Sequence, residues 1–137
     1  MRYDDLKALL AKNGSSMTKS RKIVFDLLLH QKPQTMQRLV ERAKDLVDRA
    51  TVYRTIELYE ELGIVNRLNI GWKHKFELSD VFHSHHHHFY CTKCGKTYSL
   101  PTNQILETMI NSAAGDDFAP RGHQLEIYGL CKTCSKS

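Results

Sequence analysis

The chain of 137 residues lacks any apolar run approaching the roughly 18 residues needed to span a bilayer, which excludes a transmembrane helix. Its first residues, Met1-Arg2-Tyr3-Asp4-Asp5, lack the apolar core of a secretion signal, so an intracellular, cytoplasmic location is expected. It has only four cysteines, and all fall in two Cys-x-x-Cys pairs, Cys91/Cys94 and Cys131/Cys134. In a reducing compartment that spacing argues against a disulfide framework and for metal ligation. No nucleophile, separate general base or substrate-pocket pattern accompanies these ligands, so a metal-dependent hydrolase has little support. What the chain does have is 41% hydrophobic and 26% charged residues, the composition of a globular protein rather than a disordered one.

The formal net charge is +5, and it is unevenly spread. Up to Asp80 there are 15 Lys+Arg against 11 Asp+Glu; beyond it there are 5 against 4. The basic excess sits where a nucleic-acid surface would be sought, although a mildly basic soluble protein shows the same balance.

The first part reads as helices. Tyr3 to Lys12 places Leu6, Leu9 and Leu10 on one side, and Asn13-Gly14 stops it. Thr18 caps a second helix to about His30, with Ile23, Val24, Leu27 and Leu28 inward, ended by Lys32-Pro33. Thr35 caps a third to about Lys44, with Met36, Leu39, Val40 and Ala43 inward. Asp48 caps a fourth from Arg49 to Leu62, stopped by Gly63, with Val52, Ile56, Tyr59 and Leu62 as its core face. Ile64 to Ile70 and Lys75 to Leu78 then read as strands around Gly71-Trp72.

Helices followed by a hairpin are the plan of a winged helix-turn-helix, whose last helix enters the major groove with its N-terminal residues on base edges. On that plan Tyr53 touches bases and Arg54 a phosphate or a guanine edge. Lys19, Arg21, Arg49 and Thr51 fix register on the DNA backbone. A solvated face is the plain alternative for any one of these residues.

The second part reads as a small α/β unit: a strand and the first cysteine pair within Phe89 to Tyr98, a helix starting at Pro101-Thr102, and a last strand from Gln124 to Tyr128. Two Cys-x-x-Cys pairs suit one tetrahedral Zn2+, here enclosing a whole strand-helix-strand; four thiolates close its coordination, which makes such a site structural, and a redox pair is the rival. Between the two parts lies His83-Ser-His-His-His-His88, internal and therefore no purification tag. In an extended strand His86 and His88 share one face and His85 and His87 the other. Glu77 could complete the first pair; Glu107 and His123 could complete the second. An adventitious metal-binding loop is the alternative.

The residues together resemble the ferric uptake regulator family of metal-dependent bacterial repressors. The matching stretches are Ala50-Thr-Val-Tyr-Arg54, Gly63-Ile-Val65, Phe76-Glu-Leu78, His85-His-His-His-Phe-Tyr-Cys91-Thr-Lys-Cys94-Gly-Lys96 and His123-Gln-Leu-Glu-Ile-Tyr-Gly-Leu-Cys131. The resemblance implies an α+β fold: a winged helix-turn-helix over 1–80, then a small α/β dimerisation and metal-binding domain over 81–137 with a four-cysteine zinc site. It implies a homodimer on a palindromic operator in double-stranded DNA. By position Tyr53 and Arg54 resemble the family's DNA-contacting pair. Glu77, His86 and His88 resemble its sensing site, for Fe2+ or Zn2+ with Mn2+ a third option. His85, His87, Glu107 and His123 resemble its additional site. The chain departs from the pattern in several places. His87 stands where many iron-type members carry Asp. The segment Gln31-Lys-Pro-Gln34 lacks the histidine usual there, leaving His30 as a displaced candidate.

The expectation is therefore a metal-gated repressor of metal-uptake or related genes. A peroxide sensor of the same fold is the alternative. A hydrolase or a zinc-storage protein stands further off.

Overall fold

The computed structural model describes residues 2–70, 73–120 and 122–136. Gly71-Trp72, expected at the turn of the hairpin, lie outside the described residues. Two compact units divide between Ser84 and His85.

In the first unit, α1 (Arg2–Lys12), α2 (Lys19–Leu28), α3 (Met36–Arg42) and α4 (Arg49–Glu61) surround one core. The three expected caps are in place. Thr18, Thr35 and Asp48 each accept a hydrogen bond from the backbone N–H three residues on, satisfying a donor that the first turn leaves open. The core joins Leu6, Leu10, Val24, Phe25, Leu28, Leu39, Val52, Ile56 and Tyr59 with Phe76 and Leu78. Phe25 is buried where the sequence pattern pointed to Ile23 and Leu27, which are only partly so. The second helix ends at Leu28 rather than near His30, which takes a left-handed φ of 57° just past it. Gly63 follows α4 with φ 74°, a conformation that favours glycine.

The wing is a sheet of order β1-β3-β2, from β1 (Gln34–Thr35), β2 (Val65–Ile70) and β3 (Lys73–Leu78), all antiparallel. The two-residue β1 adds a third strand to the expected hairpin by pairing Gln34 with Phe76. Arg42 ties it back, its guanidinium donating to the Leu27 carbonyl at 2.8 Å and to the Gln34 side chain.

In the second unit the sheet order is β5-β4-β6, from β4 (His86–Cys91), β5 (Thr97–Pro101) and β6 (Glu126–Gly129); β4 and β6 run parallel. The helix α5 (Gln104–Ala113) follows β5. Pro101 does not start that helix. It ends β5 opposite His86, and Asn103 is the cap, its side chain accepting from the N–H groups of Ile105 and Leu106. A short α6 (Lys132–Ser135), unforeseen in the sequence, is capped by Cys131. The buried residues described here are His87, His88, Cys91 and Thr97, while Ile105 and Met109 on α5 are 72% and 65% exposed. This unit therefore has ligand residues where a domain ordinarily keeps aliphatic ones. Among the described residues no helix is long and apolar enough to cross a membrane.

Candidate metal centres and nucleic-acid interface

Both Cys-x-x-Cys pairs form tight knuckles. After β4, Cys94 N–H points at the Cys91 sulfur (3.4 Å), and at the chain's end Cys134 N–H does the same to Cys131 (3.4 Å). The parallel pairing of β4 with β6 brings the knuckles side by side, with Cys91 opposite Gly129 and Thr92 N–H bonded to the Gly129 carbonyl at 2.8 Å. The four sulfurs lie within 4.8 Å of one another, Cys94 and Cys131 at 3.8 Å. A tetrahedral ion with metal–sulfur bonds of about 2.3 Å has sulfur–sulfur edges of about 3.8 Å, so the donors fit zinc. Backbone N–H groups from Cys94, then Cys131, pull the Cys91 thiol down to about 5, favouring the thiolate that ligation requires. The Cys131 thiol is lowered as well; hydrogen bonding to Cys131 pushes Cys134 up to about 12.

A second cluster gathers on one face of β4. His85, His87, Glu107 and His123 each aim one ligand atom within 4.8 Å of the rest. Glu107 Oε1 lies 2.7 Å from His87 Nε2 and 3.3 Å from His85 Nε2, and Oε2 lies 2.8 Å from His123 Nε2. His87 is 1% exposed; its Nδ1 has no hydrogen-bond partner, and its ring packs against those of His85 and His123. Burial raises the Glu107 pKa, but hydrogen bonds from His87 and Thr102 and the charges of His123 and His85 outweigh it and leave the group below its ordinary value. Thr102 was not foreseen. Its hydroxyl donates to Glu107 Oε1 at 2.9 Å from the turn before α5, and a single threonine there carries no distinguishing sequence signal. Three imidazoles and a carboxylate form a donor set suited to zinc or iron(II).

On the opposite face of β4, His86 and His88 stand with ring centroids 4.6 Å apart. His88 is buried beside its strand partner Glu126. Glu77, expected to join them, is buried on β3 in the first unit. His30, the displaced candidate, is exposed beyond α2.

The proposed DNA-facing residues occupy the start of two helices. Lys19 opens α2 and is exposed; Arg21 Nη1 donates to the Ser16 carbonyl at 2.5 Å, and the Arg21 carbonyl accepts from the Tyr59 hydroxyl at 2.5 Å. On α4, Arg49 and Arg54 are exposed, and Thr51 and Tyr53 half-buried. The core face of the same helix is formed by Val52, Thr55, Ile56 and Tyr59, so the Arg49-to-Arg54 edge is left to solvent.

A winged helix with an Arg- and Tyr-bearing leading edge, joined to a unit holding two clustered ligand sets, defines a metal-binding transcriptional regulator. The model of the ferric uptake regulator family matches residues 12–128. The chain belongs to that family. It is 32% identical to the ferric uptake regulation protein of Campylobacter upsaliensis, covering 98% of this chain and 92% of that protein. It is 29% identical to a peroxide-responsive repressor of Staphylococcus saprophyticus, covering 96% of this chain and 90% of that one. The crystal structure of the Vibrio cholerae ferric uptake regulator superimposes with a TM-score of 0.71 at 28% identity, covering 91% of this chain and 98% of that chain. The protein is accordingly a metal-responsive regulator and not an enzyme.

Proposed function

We propose that this regulator is a homodimeric, cytoplasmic repressor of metal-uptake genes that binds a palindromic operator when metal-loaded. The observation that carries the reading is the division of four consecutive histidines, His85 just before β4 and His86 to His88 on it, between two faces. One face gathers His85, His87, Glu107 and His123, and the other pairs His86 with His88. The four cysteines hold a structural Zn2+. Glu77, His86 and His88 are the sensing ligands for Fe2+ or Zn2+, with Mn2+ a third option, and His85, His87, Glu107 and His123 the additional site. Since Glu77 belongs to the first unit and the two histidines to the second, ligation would favour one arrangement of the units over others. Tyr53 then touches bases and Arg54 a phosphate or a guanine edge, and Lys19, Arg21, Arg49 and Thr51 lie along the phosphates. The dimer is supported by apolar side chains left in solvent on the second unit: Phe89, Tyr98, Ile105, Met109 and Ile127.

The test is metal content by mass spectrometry, followed by binding to a duplex selected from a random pool, with Fe2+, Mn2+ and Zn2+ compared at fixed salt. Binding independent of all three ions would overturn the reading. A peroxide-responsive role is the second reading, supported by the Staphylococcus saprophyticus relative. It predicts an oxygen adduct on a residue of 83–88 after treatment of the iron-loaded protein with peroxide; an unmodified peptide counts against it.

A further inference from the structure

The leading edge of α4 consists of residues that hold one another. Arg49 stands one turn before Tyr53; its guanidinium carbon lies 5.4 Å from the Tyr53 ring centroid, and Nη2 donates to the Tyr53 hydroxyl over 3.3 Å. The arginine is thus bent back along its own helix, covering the ring and occupying an acceptor position on its oxygen. A cation over an aromatic face and a hydrogen bond to the hydroxyl both restrict a side chain that would otherwise rotate in water. With an N–H already donated to that oxygen, the phenolic proton is free to point outward to an acceptor, such as a phosphate oxygen, thymine O4 or guanine N7. A parallel arrangement serves Arg54. Its Nη2 donates to Thr51 Oγ1 at 3.3 Å, and that hydroxyl donates to Asp48 Oδ1 at 2.5 Å.

We infer that Arg49 is a positioning residue for Tyr53, orienting the ring and leaving its hydroxyl as a donor toward DNA, rather than a phosphate contact in its own right. This rests on the DNA-binding reading above and revises it at Arg49, which that reading placed along the phosphates. The two roles for Arg49 differ in what they couple to. A phosphate contact acts independently of Tyr53 and releases counterions; a positioning residue has an effect only while Tyr53 is present.

The experiment uses the whole chain, tested with Fe2+, Mn2+ and Zn2+ in turn and then held with the ion that supports the tightest binding, and a duplex enriched from a random pool by the wild type, with affinity measured by fluorescence anisotropy over a range of salt. Arg49→Ala should weaken binding about fivefold in the wild-type background. In Tyr53→Ala it should cost less than about 1.5-fold, because the effects of coupled residues do not multiply. Arg49→Lys, which keeps the charge but loses the planar fork, should remain nearly as weak as Arg49→Ala. The slope of log affinity against log salt should stay as in wild type. Equal fold-losses in both backgrounds, a slope shallower by about one per protomer, or full rescue by lysine would overturn the inference in favour of a phosphate contact. Failure of the wild type to enrich any duplex would instead overturn the DNA-binding reading on which it stands. Since Arg49 is exposed, thermal melting of the Arg49 variants should match that of their parent backgrounds.

Discussion

Removing metal from the four cysteines should unfold residues 85–137 and leave the preceding unit folded. Every residue of the buried hydrophobic cluster belongs to the first unit, from Leu6 to Phe82. In the second unit α5 buries no residue, β6 is half-buried at Glu126 and exposed beyond it, and α6 is a single turn. A core in so small a unit rarely supplies more than about 3–5 kcal/mol, and this one has almost no aliphatic core. Structural zinc sites contribute about 10–16 kcal/mol of folding free energy in small peptides. Losing a term of that size exceeds anything else the unit holds. Amide hydrogen exchange would report it directly. After chelation under reducing conditions, the Thr92 and Cys91 N–H groups, bonded to the Gly129 and Lys96 carbonyls, should lose protection. Amides of α2 and α4 should keep it. Protection retained across β4 and β6 after metal analysis shows complete zinc removal would refute the reasoning.

Thr102→Val removes the hydroxyl that donates to Glu107 and should weaken metal binding at the additional site about tenfold, read by competition with a chromogenic chelator. Gly63→Ala places a Cβ on a residue with φ 74° and open space around it, so the cost is conformational only. About 1 kcal/mol of stability should be lost in urea unfolding of the first unit, with DNA contacts untouched. Met109→Glu puts a charge on the exposed face of α5 and should convert the proposed dimer to monomer by sedimentation, leaving the zinc content of the cysteine site unchanged.

The helical half of the molecule was legible because its signals are local. Thr18, Thr35 and Asp48 cap the helices that the spacing of Leu, Ile and Val suggested, since a hydroxyl or carboxylate before an amphipathic run satisfies donors nothing else reaches. What escaped was set at a distance. Gln34–Thr35 becomes a strand only because Phe76 and Lys75 lie beside it, and two residues carry no period. Pro101 looked like a helix start but closes β5, because its missing N–H is tolerated at a strand end while the Asn103 side chain caps α5. Ile105 and Met109 of α5 lie in solvent; a single chain's periodicity does not say whether its own residues or another copy cover an apolar stripe. In the candidate sites, the alternation of a strand was enough to divide His85 and His87 from His86 and His88. It could not bring in Thr102, which reaches Glu107 only through the turn that precedes the helix.

Everything in the proposed mechanism turns on metal held by Glu77, His86 and His88 switching DNA binding. The decisive measurement is affinity for the selected duplex, titrated with Fe2+, Mn2+ and Zn2+, for wild type and for His86→Ala/His88→Ala. One ion should tighten wild-type binding by about 100-fold. The double variant should keep its dimer and its cysteine-bound zinc but show no response to that ion. A double variant that responds like wild type, or a wild type that binds as tightly with these sites stripped, would contradict the mechanism.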